Sequence, residues 1–152
     1  MPRFVYNEVQ LVQPNQALLF RGSLWADRRY LYHAEDSGVV TLRGTVASPC
    51  IPYAVYQVTF NGNISLPEGA TATPIAVALT RSGEPIQTSR AIVTPAAAGD
   101  YFNVTSTDYI VVPAGCCFDI SVENVSEIPA GGATPAPAVN VQNANLTVVR
   151  VA

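Results

Sequence analysis

The stretch Cys116-Cys117-Phe118-Asp119-Ile120-Ser121-Val122-Glu123-Asn124 decides the fold class. Phe118, Ile120 and Val122 alternate with Asp119, Ser121 and Glu123. Successive side chains of a β-strand point to opposite faces, so a period of two sends the apolar set to a core and the polar set to water. A helix would return its apolar residues every third or fourth position. On this alternation Cys116 points inward and Cys117 outward.

The same period recurs upstream. Tyr56, Val58 and Phe60 share one face, and Val55, Gln57 and Thr59 the other. Ile75, Val77 and Leu79 oppose Ala76, Ala78 and Thr80. Turn residues punctuate the runs: Asn61-Gly62, Ser82-Gly83, Ala98-Gly99-Asp100 and Pro113-Ala114-Gly115. The expected strands are 8–13, 16–20, 38–44, 53–60, 73–81, 86–94, 101–105, 108–112, 117–125 and 140–151. About ten short strands with frequent turns predict an all-β jelly-roll β-sandwich, and no helical period competes. One domain is expected, with residues 1–20 as an N-terminal arm or first strands and 21–152 as the jelly roll. Pro14-Asn15 marks a bend between two short strands of that arm. Two stretches read as irregular: 21–37, which is rich in aromatics and charge, and the Pro/Gly-rich tongue 127–138.

Hydrophobic residues make up 49% of the chain and charged residues only 12%. A typical soluble domain carries about 25% charged residues, so much of this surface is uncharged, as suits a subunit buried in an assembly. A chain of this size buries roughly 70% of its unfolded surface and needs neither disulfide nor metal to fold. There is no Lys, and the eight basic residues are scattered Arg. Nucleic-acid binding needs a clustered basic field, so no nucleic-acid partner is expected. No apolar run approaches the ~20 residues that span a bilayer, and the N-terminus carries no secretory signal pattern. The expected site of synthesis is therefore a cytoplasm. Cys50, Cys116 and Cys117 are odd in number, and free thiols are expected, with a bridge from Cys50 to one of the pair as the alternative.

Several segments together carry a family resemblance. They are Val58-Thr59-Phe60-Asn61-Gly62-Asn63-Ile64, Pro74-Ile75-Ala76-Val77-Ala78-Leu79, Gly83-Glu84-Pro85 and Val93-Thr94-Pro95-Ala96-Ala97. Then follow Tyr101-Phe102-Asn103-Val104, Val112-Pro113-Ala114-Gly115-Cys116-Cys117, Ser121-Val122-Glu123-Asn124 and Val141-Gln142-Asn143-Ala144-Asn145-Leu146-Thr147-Val148. Over residues 38–152 the chain resembles TNF-like jelly-roll proteins of Gram-positive bacteria and their phages, similar to the C-terminal domain of collagen-like spore-surface proteins. The resemblance implies a ten-strand jelly roll, a homotrimer and a virion-surface or capsid-decorating role. The sequence differs from that family in having no Gly-X-Y run and in its long 127–138 loop.

No catalytic, cofactor or metal set emerges. His33 is the only histidine and stands near Glu35 and Asp36, without the Gly-x-Ser-x-Gly elbow of a hydrolase. Glu35-Asp36 are adjacent rather than spaced for glycoside hydrolysis, and no Asp-rich calcium loop appears. The four Asn-x-Ser/Thr sequons, at Asn63, Asn103, Asn124 and Asn145, carry no meaning without a secretory route. Aromatics and Arg are favoured at interfaces, which makes Pro2, Phe4, Tyr6, Trp25, Arg28, Arg29, Tyr30 and Tyr32 the candidate assembly contacts. Outward faces of small or apolar residues, such as Ala76, Ala78 and Val55, add to the case for self-association. The expected function is a trimeric decoration, cement or head-surface protein of a phage, bound to the major capsid protein or another virion surface protein. The alternative is a carbohydrate- or receptor-binding jelly roll on a virion or bacterial surface.

Overall fold

The computed structural model describes residues 2–24, 29–45, 50–129, 131–132 and 135–152. In chain order its strands are β1 (Arg3–Tyr6), β2 (Gln10–Val12), β3 (Gly22–Leu24), β4 (Leu31–His33), β5 (Val40–Arg43) and β6 (Tyr53–Ser65). Then come β7 (Ile75–Arg81), β8 (Glu84–Pro85), a 3₁₀ turn (Gln87–Ser89), β9 (Ala91–Val93), β10 (Phe102–Pro113), β11 (Cys117–Asn124) and β12 (Val139–Arg150). One six-stranded sheet runs β10-β6-β12-β1-β3 with β2 also on β12, and the other runs β4-β5-β11-β7-β8 with β9 on β7. Every pairing is antiparallel. This is the all-β jelly-roll sandwich that the alternation predicts.

The inward positions fill the space between the sheets. Tyr56, Val58, Phe60 and Ile64 of β6 meet Ile120 and Val122 of β11 and Ile75, Val77 and Leu79 of β7 in one core. Such interdigitation of two inner faces is what holds a sandwich together. Cys116 is half-buried and packs on that core, while Cys117 is exposed, as the alternation places them. Cys116 and Cys117 are free thiols.

Several expectations about boundaries need correction. Asn61-Gly62 is not a turn: both lie inside β6, where Asn61 faces Thr105 and Gly62 faces Val104. The glycine serves packing, because a Cβ there would come within 2.9 Å of Phe60 Cζ. The ring of Phe60 occupies the space that the side chain two residues on would fill. The expected strands 101–105 and 108–112 are one strand, β10, paired without a break along β6. Residues 16–20 form only isolated bridges, at Ala17 and Phe20, although Leu18 and Phe20 are fully buried. The chain crosses between sheets here: β2 pairs with β12, whereas the N–H groups of Asn15 and Leu18 donate to Asn124 and Val122. The bend at Pro14-Asn15 is present, with Asn15 at φ 62°. Ala76 and Ala78 are only 2% and 1% exposed, so they offer no free outward face. Ala76 instead lines a cleft with Ile92, Ile128 and Pro129.

Residues 3–6 are an integral strand. β1 sits between β12 and β3, with Phe4 opposite Leu146 and Ser23. Pro2 is buried, and its carbonyl accepts the Val148 N–H.

Candidate assembly face and loop groove

The outer surface of the first sheet is ordered in rows. Its register places Asn103, Asn63 and Gln142 side by side across β10, β6 and β12. The next row is Thr105, Asn61 and Asn145, and the next Thr107, Thr59 and Thr147. Tyr109, Gln57 and Val149 follow, then Val111 beside Val55. The surface thus grades from amides through hydroxyls to apolar side chains, and none of these positions is charged. Arg3, paired to Thr147 on β1, is the nearest cation in the register. Asp108 belongs to the other phase of β10: its Oδ2 accepts from Thr88 Oγ1 at 3.2 Å and its Oδ1 from the Tyr109 N–H at 2.7 Å.

The amide end is cross-linked by its own hydrogen bonds. Asn61 Nδ2 donates to Thr105 Oγ1 (2.6 Å) and Asn103 Oδ1 (3.2 Å), and Asn103 Nδ2 donates to Asn63 Oδ1 (3.0 Å). Thr59 and Thr107 hydroxyls meet at 3.1 Å. Cross-strand pairs of this kind fix the side chains of a sheet surface before any partner arrives. At the apolar end Tyr53, Tyr109 and Val111 are about half exposed, at 49%, 59% and 49%.

The proposed contact residues divide. Phe4 is fully buried, 4.7 Å from the His33 ring, so it serves the core rather than a partner. Pro2 is likewise buried. Tyr6 is half-buried, with the Arg21 guanidinium 5.2 Å above its ring. Tyr30 is stacked by Arg150 at 4.4 Å and Arg29 at 5.6 Å, and Tyr32 is 52% exposed. Trp25 and Arg28 lie outside the described residues. Beneath Tyr30, the buried Tyr56 hydroxyl stands against the carbonyls of Tyr30 (3.1 Å) and Arg43. Burial pushes that phenol up from its ordinary pKa, which keeps it a neutral donor.

His33 joins segments rather than forming a triad. Its Nε2 lies 2.8 Å from the Ser37 carbonyl and its Nδ1 3.3 Å from Ser23 Oγ. With the proton on Nε2, the ring donates to Ser37 and accepts from Ser23. Asp36 is engaged by Arg21 at 2.9 Å, and Glu8 lies 3.9 Å from the same guanidinium. The hydrogen bond that Arg21 donates to Asp36 raises its already high pKa. Among the described residues no group of acids, His and Cys is placed to hold a metal.

A second feature lies at the Pro/Gly-rich tongue. Residues 125–126 bond to Ala76 of the second sheet, and residues 125–129 with Pro135 and Ala136 wall a groove. One part, of about 320 Å³, is lined by Ile75, Ala76, Arg90, Ile92, Glu127 and Ile128 among others. It adjoins a wider cleft that shares Arg90, Glu127 and Ile128 with Pro14, Gln87 and Pro135. Asn124 anchors the segment. It is fully buried, donates to the carbonyls of Val12 (3.0 Å) and Pro137 (2.9 Å), and accepts the Ser126 N–H (3.0 Å). The sequon at Asn124 is therefore structural.

No protein-family model matches the chain, and no curated protein does. The chain is similar to several solved structures. The globular domain of zebrafish complement 1qA protein superposes with a TM-score of 0.50 at 14% identity, covering 96% of this chain and 94% of that one. The C-terminal domain of EclA, a sugar-binding protein, gives 0.41 at 14% identity over 95% and 79% of the two chains. The CBM22-1 xylan-binding domain from Paenibacillus barcinonensis gives 0.36 at 10% identity over 99% and 87%.

Proposed function

We propose that this jelly roll is a non-catalytic assembly subunit that forms a homotrimer through the outer face of β6, β10 and β12 and decorates a particle surface. The supporting observation is the uncharged, row-ordered face. Under a three-fold axis along the strands, each residue stays at its own height and meets its own copies. A charged row would bring three like charges together, whereas amide, threonine and valine rows satisfy or bury one another. Burying Tyr53, Val55, Tyr109, Val111 and Val149 against copies stabilises assembly at about 25 cal/mol per Å² of apolar area. The resemblance to TNF-like proteins of Gram-positive bacteria and their phages supports a phage virion surface as the place of work. The partner there is the major capsid protein or another head-surface protein.

The test is sedimentation equilibrium at micromolar concentration. The expected mass is three times 16.1 kDa, and Val111→Asp, which sets three carboxylates at one height, is expected to give monomer. A wild-type monomer, or a Val111→Asp trimer of unchanged stability, sinks the trimer reading. Mass spectrometry of purified virions tests the location, and finding the chain only in cell envelopes rejects it. The groove beside the 125–138 segment favours a second reading, a ligand-binding module on such a surface.

A further inference from the structure

Arg90 and Glu127 form an ion pair of unequal partners. Arg90 follows the 3₁₀ turn, which Ser89 locks by accepting from the Leu79 N–H at 2.9 Å and donating to the Ile86 carbonyl at 2.6 Å. The Arg90 side chain is 22% exposed, but that of Glu127 is 75% exposed. Nη1 reaches Glu127 Oε1 at 3.0 Å, and Nη2 makes a long contact of 3.4 Å to the Val125 carbonyl. The buried Nε has no partner among the described residues. A guanidinium offers five donors in a planar fork that suits a two-point carboxylate. This one receives a single-point contact from a loosely held acid. Beside it the cleft is floored by Ile75 and Ala76 and flanked by two exposed isoleucines, Ile92 at 58% and Ile128 at 63%.

We propose that this cleft binds a small organic carboxylate with a branched, apolar body, and that Glu127 is its intramolecular stand-in. The ligand carboxylate displaces Glu127 and takes the Arg90 fork, and its body covers Ile92 and Ile128. Charge complementarity selects the class: one fixed cation stands at the end of an apolar trough of about 320 Å³, a volume suited to a small molecule. β9 belongs to the second sheet and Glu127 to the loop after β11, and neither supplies a residue to the proposed trimer face, so this inference stands or falls independently of assembly.

Isothermal titration with N-acetyl-leucine and its neutral amide, at pH 7 and low salt, tests it. The acid is expected to bind and the amide to bind roughly tenfold more weakly or worse, as loss of a charge-assisted contact implies. Glu127→Gln removes the competitor and is expected to tighten the acid several-fold. Arg90→Gln is expected to abolish binding, and Arg90→Lys, which keeps the charge and loses the fork, to weaken it while the fold is checked by circular dichroism. Amide chemical shifts should move at Ile92 and Ile128. No saturable binding to wild type or Glu127→Gln, equal affinity for acid and amide, or shifts confined elsewhere would each overturn the proposal.

Discussion

Replacing Asn124 by Ala should unfasten the 125–138 segment and destabilise the whole sandwich. The side chain is fully buried and makes three hydrogen bonds, to the Val12 and Pro137 carbonyls and from the Ser126 N–H. Alanine strands all three backbone groups away from water. At about 1 kcal/mol net per bond the loss is about 3 kcal/mol, and more where a stranded group stays dry. For a chain of this size that lowers Tm by roughly 6–12 °C. Asn124→Asp should be at least as damaging, because it keeps the acceptor for Ser126 but points a carboxylate at two carbonyl oxygens. Urea unfolding at one fixed protein concentration measures the loss without confusion from self-association. Hydrogen exchange should speed up first in 125–138 and in β2, which Val12 ties to β12. A loss under about 1 kcal/mol for Asn124→Ala would refute the reasoning, since satisfied buried amides cannot be removed that cheaply.

Three further outcomes are expected. Gly62→Ala should cost about 1–3 kcal/mol in urea unfolding by forcing the Phe60 ring to move, and a neutral result would show that the ring has room to give. Burial, and then the nearby Glu84, raise the Glu123 pKa, so its contribution is fully present below the ordinary glutamate pKa and is lost as pH rises through the higher folded value. Glu123→Gln should therefore gain stability relative to wild type at pH 7 and gain little at pH 4, and the opposite trend in urea midpoints would contradict the assignment. The fold should survive reduction: with Cys116 and Cys117 free thiols, Tm with and without reductant should agree within about 2 °C, and a fall of about 10 °C would reveal a bridge.

The parts of the fold legible in the sequence were those where one strand has a wet face and a dry face. Phe118, Ile120 and Val122 announced β11 because Asp119 and Ser121 sit between them, yet Ser121, expected to face water, is buried with its hydroxyl against that of Thr80. β7 was legible as a strand, but not its exposure: Ala76 and Ala78 are covered on the side read as free. Sequence punctuation failed where glycine served a ring rather than a turn, at Gly62. It failed again where Asp108 kept the inward phase of β10 by finding Thr88 and the Tyr109 N–H. Phe4 read as a contact residue because four residues of alternation cannot reveal that Leu146 lies across from it. The uncharged face was half legible. Gln57 and Thr59 were placed outward, but the rows exist only once register sets Asn61 beside Asn145. The groove depends on Arg90 and Glu127, which are far apart in sequence and meet only through tertiary packing.

The position of β12 sets the timing of folding. It is the interior strand to which β6, β1 and β2 all attach, yet it is the last of these strands in chain order. Until it emerges from a ribosome, β1 has lost its main neighbour, and one long edge of β6 lies open beside the apolar residues meant for the core. Synthesis at about 5–20 residues per second leaves that edge waiting for seconds, long compared with the microseconds in which a hairpin forms. Pairings so distant along the chain also fold slowly once complete. The nascent chain is therefore most vulnerable just before β12 arrives, and crowding many copies on one message would favour β6 edges meeting each other. Slow, cool expression should give more native protein than fast expression, because the competing reaction rises with the concentration of incomplete chains.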